Sequence, residues 1–337
     1  MAAKANVVYV VGAGLSVGLG FPTIATLLPD IWGRLESAGL SDDLAEIVRF
    51  HHPDFNPLRR KSYPNIEQLL SEMQANEQLF DSTRAATGKF TSEQLLERRR
   101  NLLWQITDWF HEIKANAFHK KPNWLLKLAE RIRDEHAQVI SFNWDLVLDE
   151  LLFGKDIDKS SYGFGERNGV RLLKPHGSLN WYSAASARFL KADKKFLLAS
   201  GKNEEIFVFR PFRAPKSNRR EYSPLIVPPV YAKQFDREVF KSLWREVVAV
   251  LSVATEVRFI GFSLAPADFH ARFTLRCGFH NQEDGIIRKN GNRSRATGRA
   301  HVIVVDKNKE AHRRIEDCVG WRCSAKLMTV ESWVDSW

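Results

Sequence analysis

Cysteine is scarce in this chain. Cys277, Cys318 and Cys323 are the three among 337 residues, too few for a disulfide framework or a four-thiolate zinc site. Long apolar runs are missing as well. Stretches such as 7–11 and 302–305 fall far short of the ~20 residues that span a bilayer. Nor does a charged segment, apolar stretch and cleavage site precede the strand-like run at 6–11, so no secretory leader and a cytoplasmic, membrane-free protein are expected. Acidic side chains are outnumbered: 50 Lys and Arg against 40 Asp and Glu give a net charge of +10. Such an excess implies an anionic partner, whether a nucleotide, a nucleic acid or an acidic protein surface. Much of it sits in two loop-like stretches. Residues 210–220 carry Arg210, Arg213, Lys216, Arg219 and Arg220, and residues 288–299 carry Arg288, Lys289, Arg293, Arg295 and Arg299. These either dock a partner such as DNA or are solvated loops, and charge alone does not decide between the two.

What is present suffices for a sizeable core. With 44% hydrophobic residues the chain forms one large domain or a core carrying an insert. Residues 6–11 (NVVYVV) are apolar and β-branched and run straight into Gly12, which reads as a buried parallel strand and a tight turn. From about Thr23 to His136 the pattern is helical throughout, with Ser41, Asn65, Thr91 or Ser92, and Asn123 as N-caps. Ile66, Leu69, Leu70 and Met73 recur at helical spacing, as do Leu102, Ile106, Trp109, Phe110 and Ile113. Strand-like runs return at 137–142, 257–261 and 301–306, each followed by a helical stretch, and a further helix spans 238–254. Residues 178–231 read as irregular, rich in Pro, Lys and Arg, with short aromatic strands such as 206–209. Strand-then-helix alternation predicts an α/β fold, a Rossmann-like doubly wound parallel sheet with an all-helical insert. The expected boundaries are 1–27 and 136–337 for the Rossmann core and 28–135 for the insert, with no separate sensor domain.

Ligands of open parallel sheets bind beyond the carboxyl ends of the strands, so the residues there are the candidates. After the first strand comes Gly12-Ala13-Gly14-Leu15-Ser16, with Gly20 and Pro22 beyond. Glycines permit close backbone approach, and a helix N-terminus offers N–H groups to a pyrophosphate. The third glycine of a dehydrogenase and an acidic strand end some twenty residues on are missing, so a ligand-free turn is the alternative. Asn143-Trp144-Asp145 places two short polar side chains at the second strand end, or else a helix cap and a first-turn charge. Lys174-Pro175-His176-Gly177-Ser178 holds a histidine in a turn, close to the surface and able to face a cleft. An imidazole suits a general base, although a solitary histidine among 10 can equally be structural. Gly261-Phe262-Ser263-Leu264 and Asp306 end the later strands, where they contact a phosphate or ribose or cap the next helix.

Taken in order, Gly-Ala-Gly-x-Ser-x-x-x-Gly-x-Pro, Asn-x-Asp, His-Gly and Gly-x-Ser-Leu resemble the sirtuin family over essentially the whole chain. The resemblance implies that Gly12, Ala13, Gly14 and Ser16 cradle the diphosphate of NAD. It implies further that Asn143 and Asp145 sit at the nicotinamide ribose, that His176 is the catalytic base, and that Gly261 and Ser263 contact the adenosine half. Asp306 falls where the family usually has an Asn at the adenine ribose. Two departures stand out. Protein-deacylating sirtuins carry a four-cysteine zinc module after the histidine, and no cysteine lies between His176 and Cys277. They also continue Gly-x-Pro with Asp-Phe-Arg, where this chain has Thr23-Ile24-Ala25.

The pattern is more similar to the sirtuin-like subunits of bacterial anti-phage defence systems, which pair the NAD site with a helical insert. Pro64-Asn65-Ile66-Glu67-Gln68-Leu69-Leu70 also resembles a helical element of those proteins. That likeness implies a metal-free NAD glycohydrolase, with NAD as substrate, that depletes NAD in abortive infection. It implies a homo-oligomer triggered by a partner such as a hexameric translocase ATPase or an Argonaute-like protein. The alternatives are an NAD-dependent protein deacylase and a non-catalytic nucleotide-binding subunit whose basic loops dock DNA or an ATPase.

Overall fold

The first strand, β1 (Val7–Val11), is buried at every residue, as an apolar β-branched run must be when a sheet is covered on both faces. It is seen in a computed structural model that describes residues 6–79, 85–87, 90–120, 122–165, 169–185, 195–200, 204–209, 219, 221–227, 237–287 and 292–337. From β1 the chain enters one helical turn, α1 (Gly14–Val17), then α2 (Leu27–Ser37), α3 (Ser41–His51) and α4 (Ile66–Leu79). Two short antiparallel strands, β2 (Ala85–Thr87) and β3 (Phe90–Thr91), interrupt the helical pattern before α5 (Ser92–Lys120) and α6 (Asn123–Asp134). The expectation of unbroken helix is corrected there, because strands of two or three residues are too short to show a period of two.

Two of the expected caps form. The Glu67 amide donates to Asn65 Oδ1 at 2.8 Å. Thr91 and Gln94 cap reciprocally, Gln94 N–H to Thr91 Oγ1 at 3.3 Å and Thr91 N–H to Gln94 Oε1 at 3.0 Å. Ser41 and Asn123 are instead first helical residues, without a side-chain cap.

Beyond α6 come β4 (Gln138–Ser141), α7 (Val147–Leu152) and β5 (Arg171–Leu173). The segment expected to be irregular holds a second sheet. Its strands β6 (Gly177–Ala184), β7 (Lys195–Ser200), β8 (Glu205–Phe209) and β9 (Tyr222–Ile226) pair antiparallel in the order β7-β8-β6-β9. One face of it is an aromatic cluster of Tyr182, Phe207, Phe209 and Tyr222 against Trp104 of α5. The Pro-, Lys- and Arg-rich connections masked that pattern. Then follow α8 (Glu238–Ser252), β10 (Glu256–Ile260), α9 (Phe269–Asp284), β11 (His301–Val305), α10 (Lys309–Val319), β12 (Ser324–Lys326) and α11 (Val330–Asp335).

The main sheet is parallel throughout, in the order β12-β11-β10-β1-β4-β5. Numbered by their own succession, its six strands run 3-2-1-4-5-6 from the β5 edge. This is the order of a dinucleotide-binding doubly wound sheet, the fold class expected, and the order reverses between β1 and β10. Leu28, Leu69, Ile106 and Leu128 of the helices between β1 and β4 join the same buried cluster as Val10, Ile140 and Phe259 of the strands. Arg258 interrupts the apolar run of β10 and is buried, neutralised by Glu135 at 2.8 Å and Glu256 at 2.5 Å. That cluster lies at the amino ends of the strands, away from the edge where the candidates converge. Among the described residues no helix is long and apolar enough to cross a membrane.

Candidate active site

At the switch point two turns interlock backbone against backbone. Gly12 N–H donates to Ile260 O at 3.2 Å and Gly14 N–H to Gly261 O at 2.8 Å. Gly261 has φ +57°, and a methyl group there would lie 2.4 Å from Leu15 N, while one on Gly14 would lie 2.6 Å from Gly261 Cα. Neither position admits a side chain. The amides of Leu15 and Ser16 are also taken, by Gly12 O and Ala13 O. Gly14 and Gly261 thus hold β1 and β10 together behind the site. With its amide occupied, Gly14 has no N–H to offer a diphosphate in this arrangement.

In front of that lock lies a cavity of about 110 Å³. Gly12, Ala13, Ser16, Asn143, Asp145, His176 and Ser263 all line it, joined by Trp144, Phe262, Glu67 of α4, Phe110 of α5 and Asp268. Ends of β1, β4, β5 and β10, far apart in sequence, therefore meet in one place. Asp306 follows β11, one strand further out, is not part of the lining, and accepts the Asn308 amide at 2.8 Å. A roomier cavity of about 710 Å³ lies among α4, α5 and β9, lined by Gln74, Glu93, Arg99 and Arg100 among others, with none of the expected residues. The smaller cavity is the better candidate because it sits at the switch point and combines apolar walls with a few converging polar groups.

The polar floor is a connected network. Ser16 Oγ–H donates to Asp145 Oδ2 at 2.6 Å and accepts from Asn143 Nδ2 at 3.2 Å, and Asn143 Nδ2 also reaches Gly12 O at 3.0 Å. Asp145 Oδ1 takes the Val147 amide at 3.0 Å. Burial raises the Asp145 carboxyl above its ordinary value, against the opposing pull of the Lys174 charge and these hydrogen bonds.

A folded-state value above the unfolded one means that the folded protein gives up this proton less readily. Stability must then fall as pH rises past the ordinary carboxylate value of about 4. Asp145→Asn removes the titration. Thermal unfolding of the variant and the wild type from pH 4 to 7 should show Tm falling more steeply with pH in the wild type. Parallel curves would contradict the assignment.

Behind this floor lies a buried cation that sequence reading passed over. Lys174 Nζ donates to Asp145 O at 2.7 Å, Asp149 Oδ2 at 2.9 Å and Ser178 Oγ at 2.7 Å. Asp149 accepts in turn from Tyr162 OH at 2.5 Å, which accepts from Asn180 Nδ2 at 2.8 Å. The loops after β4 and β5 are thereby tied to each other. The next residue but one, His176, is 2% exposed, so it is not near the surface as its turn suggested, although it does face the cavity. Phe142 meets its ring edge-on at 5.0 Å. Gly177 has φ +77°, with no room for a Cβ beside Leu225 O, and this lets His176 O accept the Val227 amide at 2.9 Å. Asp268 Oδ2 stands 3.1 Å from His176 Nε2. Burial pushes the Cys318 thiol up to about 11, which leaves it protonated and inert.

Of the basic stretches, Arg210, Arg213, Lys216, Arg220, Arg288 and Lys289 lie outside the described residues. Arg219 is engaged within the protein, forked onto Asp108 at 2.8 and 2.7 Å and stacked over Trp104. Arg293 pairs with Asp284 at 3.4 Å and Arg299 with Glu283 at 2.7 Å. These three cations are already compensated.

No protein-family profile and no curated protein sequence matches the chain. Solved structures similar to it include a Sir2 enzyme from a study of mechanism and regulation, at 13% identity and TM-score 0.44, covering 98% of this chain and 90% of that one. Another is a Sir2 homologue variant with ADP-ribose, at 13% identity and TM-score 0.45, covering 98% and 89%. A third is a Sir2–p53 peptide–NAD+ complex, at 14% identity and TM-score 0.41, covering 98% and 91%. At that degree of likeness the superposition is loose, and the functional reading rests on the cavity and its residues.

Proposed function

We propose that the chain is an NAD glycohydrolase, an NAD+ nucleosidase that splits the nicotinamide–ribose bond of NAD in the cavity at the β1/β10 switch point. One observation carries the reading. Ser16, Asn143, Asp145, His176 and Ser263, contributed by four separate strand ends, line a single cavity in a sheet of dinucleotide-binding order. The sirtuin-like order of the motifs supplies the identity of the dinucleotide. Sites for drug-sized ligands usually hold ~300–1,000 Å³, and about 110 Å³ is smaller. The cavity therefore takes the reacting end of NAD, and the rest lies along the strand ends.

Chemically, cleavage breaks the C1′–N1 bond, and its electron pair returns to the pyridine nitrogen of a neutral nicotinamide. The ribose becomes cationic on the way and captures a water at C1′, giving ADP-ribose and a proton. Asn143 and Asp145, locked to Ser16, orient the ribose or the water. His176 takes the proton. Holding these partners in reach is worth much of the barrier, and a positioned base contributes roughly 10²–10⁴-fold more.

Incubation with NAD and an acylated peptide distinguishes the functions. Free ADP-ribose with nicotinamide is expected, whereas O-acyl-ADP-ribose would indicate a deacylase and neither product a non-catalytic subunit. The finer biology rests on the motif resemblance: an NAD-depleting effector of anti-phage defence, held dormant as a homo-oligomer and released by a partner such as a translocase ATPase or an Argonaute-like protein. The assay is accordingly run with and without the product of the neighbouring gene.

A further inference from the structure

The carboxylate facing His176 belongs to a residue outside every motif of the strand ends. We propose that Asp268 is a positioning residue that fixes the tautomer of His176 and makes Nδ1 the proton-accepting atom. This rests on the reading of His176 as the base, and the experiment below separates the two.

His176 and Asp268 are 2% and 4% exposed, with Nε2 and Oδ2 3.1 Å apart. An ionised carboxylate only accepts, so Nε2 carries the hydrogen and the lone pair is left on Nδ1. Phe142 and Trp244, their rings 5.0 and 5.9 Å from the imidazole, keep water off the pair. The imidazolium formed by proton uptake is then stabilised by a carboxylate that does not itself take the proton. The other titratable groups lining the cavity are Glu67 on α4 and Asp145 after β4. The Asp145 carboxylate is committed to Ser16 and Val147.

The second oxygen of Asp268 explains why the first stays in place. Oδ1 accepts the Ala271 amide at 3.1 Å as the N-cap of α9, a helix of 16 residues. The positive end of that helix favours the ionised carboxyl. The loop leading to it is pinned at three points. Gly261 interlocks with Gly14, Leu264 sits at φ +47°, and Arg314 Nε donates to Ser263 O at 2.9 Å and Leu264 O at 3.1 Å. One side chain thus starts a helix and orients a base, and the two roles can be separated by substitution.

Asparagine caps a helix about as well as aspartate but carries no charge. Asp268→Asn should keep the wild-type Tm, while Asp268→Ala lowers it. In both, the His176 imidazole, titrated by NMR in protein labelled with ¹⁵N-histidine, should shift down by about 1–2 pH units. In Asp268→Asn, nicotinamide release should fall roughly 10²-fold in kcat with KM little changed. In the wild type at high pH, the ¹⁵N spectrum should show the Nε2–H tautomer. An Nδ1–H tautomer, an unshifted imidazole in Asp268→Asn, or an unchanged kcat would each overturn the proposal. A shifted imidazole in a protein that releases no nicotinamide, with its partner present, keeps the pair and overturns the hydrolase reading instead.

Discussion

His176→Ala is expected to release nicotinamide from NAD roughly 10²–10⁴-fold more slowly than the wild type, the range a positioned general base supplies. The side chain is enclosed by Phe142, Trp244 and Asp268, so the variant leaves a gap and a buried carboxylate that has lost its imidazole. A modest loss of stability is expected as well, about 1–3 kcal/mol for the stranded acceptor. The fold should survive, because what holds the two turns together is the Gly12–Gly14 contact with Gly261 and not the imidazole. Titration of NAD by calorimetry should give a Kd close to that of the wild type, since orientation of the reacting end and not adhesion of the dinucleotide is lost. Wild-type turnover in this variant would remove His176 from the chemistry.

Lys174→Met is expected to cost about 3–5 kcal/mol, the usual penalty for removing one partner of a buried ion pair. Lys174 is 0% exposed, and its three donors are satisfied by Asp145, Asp149 and Ser178. Methionine fills a similar volume but leaves the Asp149 carboxylate facing an apolar group, with Tyr162 as its remaining support. For a chain of this size such a loss lowers Tm by about 5 °C. Adding Asp149→Asn removes the uncompensated charge and should recover a large part of that loss, a coupling that a double-mutant cycle reads directly. Activity should not recover with it, because the carbonyl of Asp145 and the hydroxyl of Ser178 stay untethered. Equal Tm values for Lys174→Met and wild type would show that the network does not form.

The sheet was legible where its strands are buried on both faces. Runs such as VVYVV and HVIVV are near-continuous apolar stretches that nothing but a covered parallel strand accommodates well. The three-residue β5 and the exposed edge strand β12, Ser-Ala-Lys, carry no such signal. The second sheet was hidden for another reason. Its aromatic face looks inward to Trp104 on a helix more than seventy residues away, and no local period reports a partner of that kind.

Site residues followed a similar rule. Asn143, His176 and Ser263 could be found because the strand-end topology singles out their positions before chemistry is considered. Asp268 lies five residues beyond Ser263, after a proline, and by itself announces a helix cap. Lys174 adjoins the histidine motif, yet a lysine in a turn reads as a solvated charge until Asp149 of α7 is seen beside it. Glu67 sat in a recognised helical element, but nothing local reveals that α4 carries it to the cavity wall.

A crystal structure of the His176→Ala protein with NAD probes most directly whether the four strand ends form one dinucleotide site. The nicotinamide ribose is expected beside Asn143 and Asp145, with the dinucleotide running across the β1/β10 switch point toward Ser263. A dinucleotide seated instead in the larger cavity between α5 and β9, or no bound NAD at millimolar concentration, would contradict it.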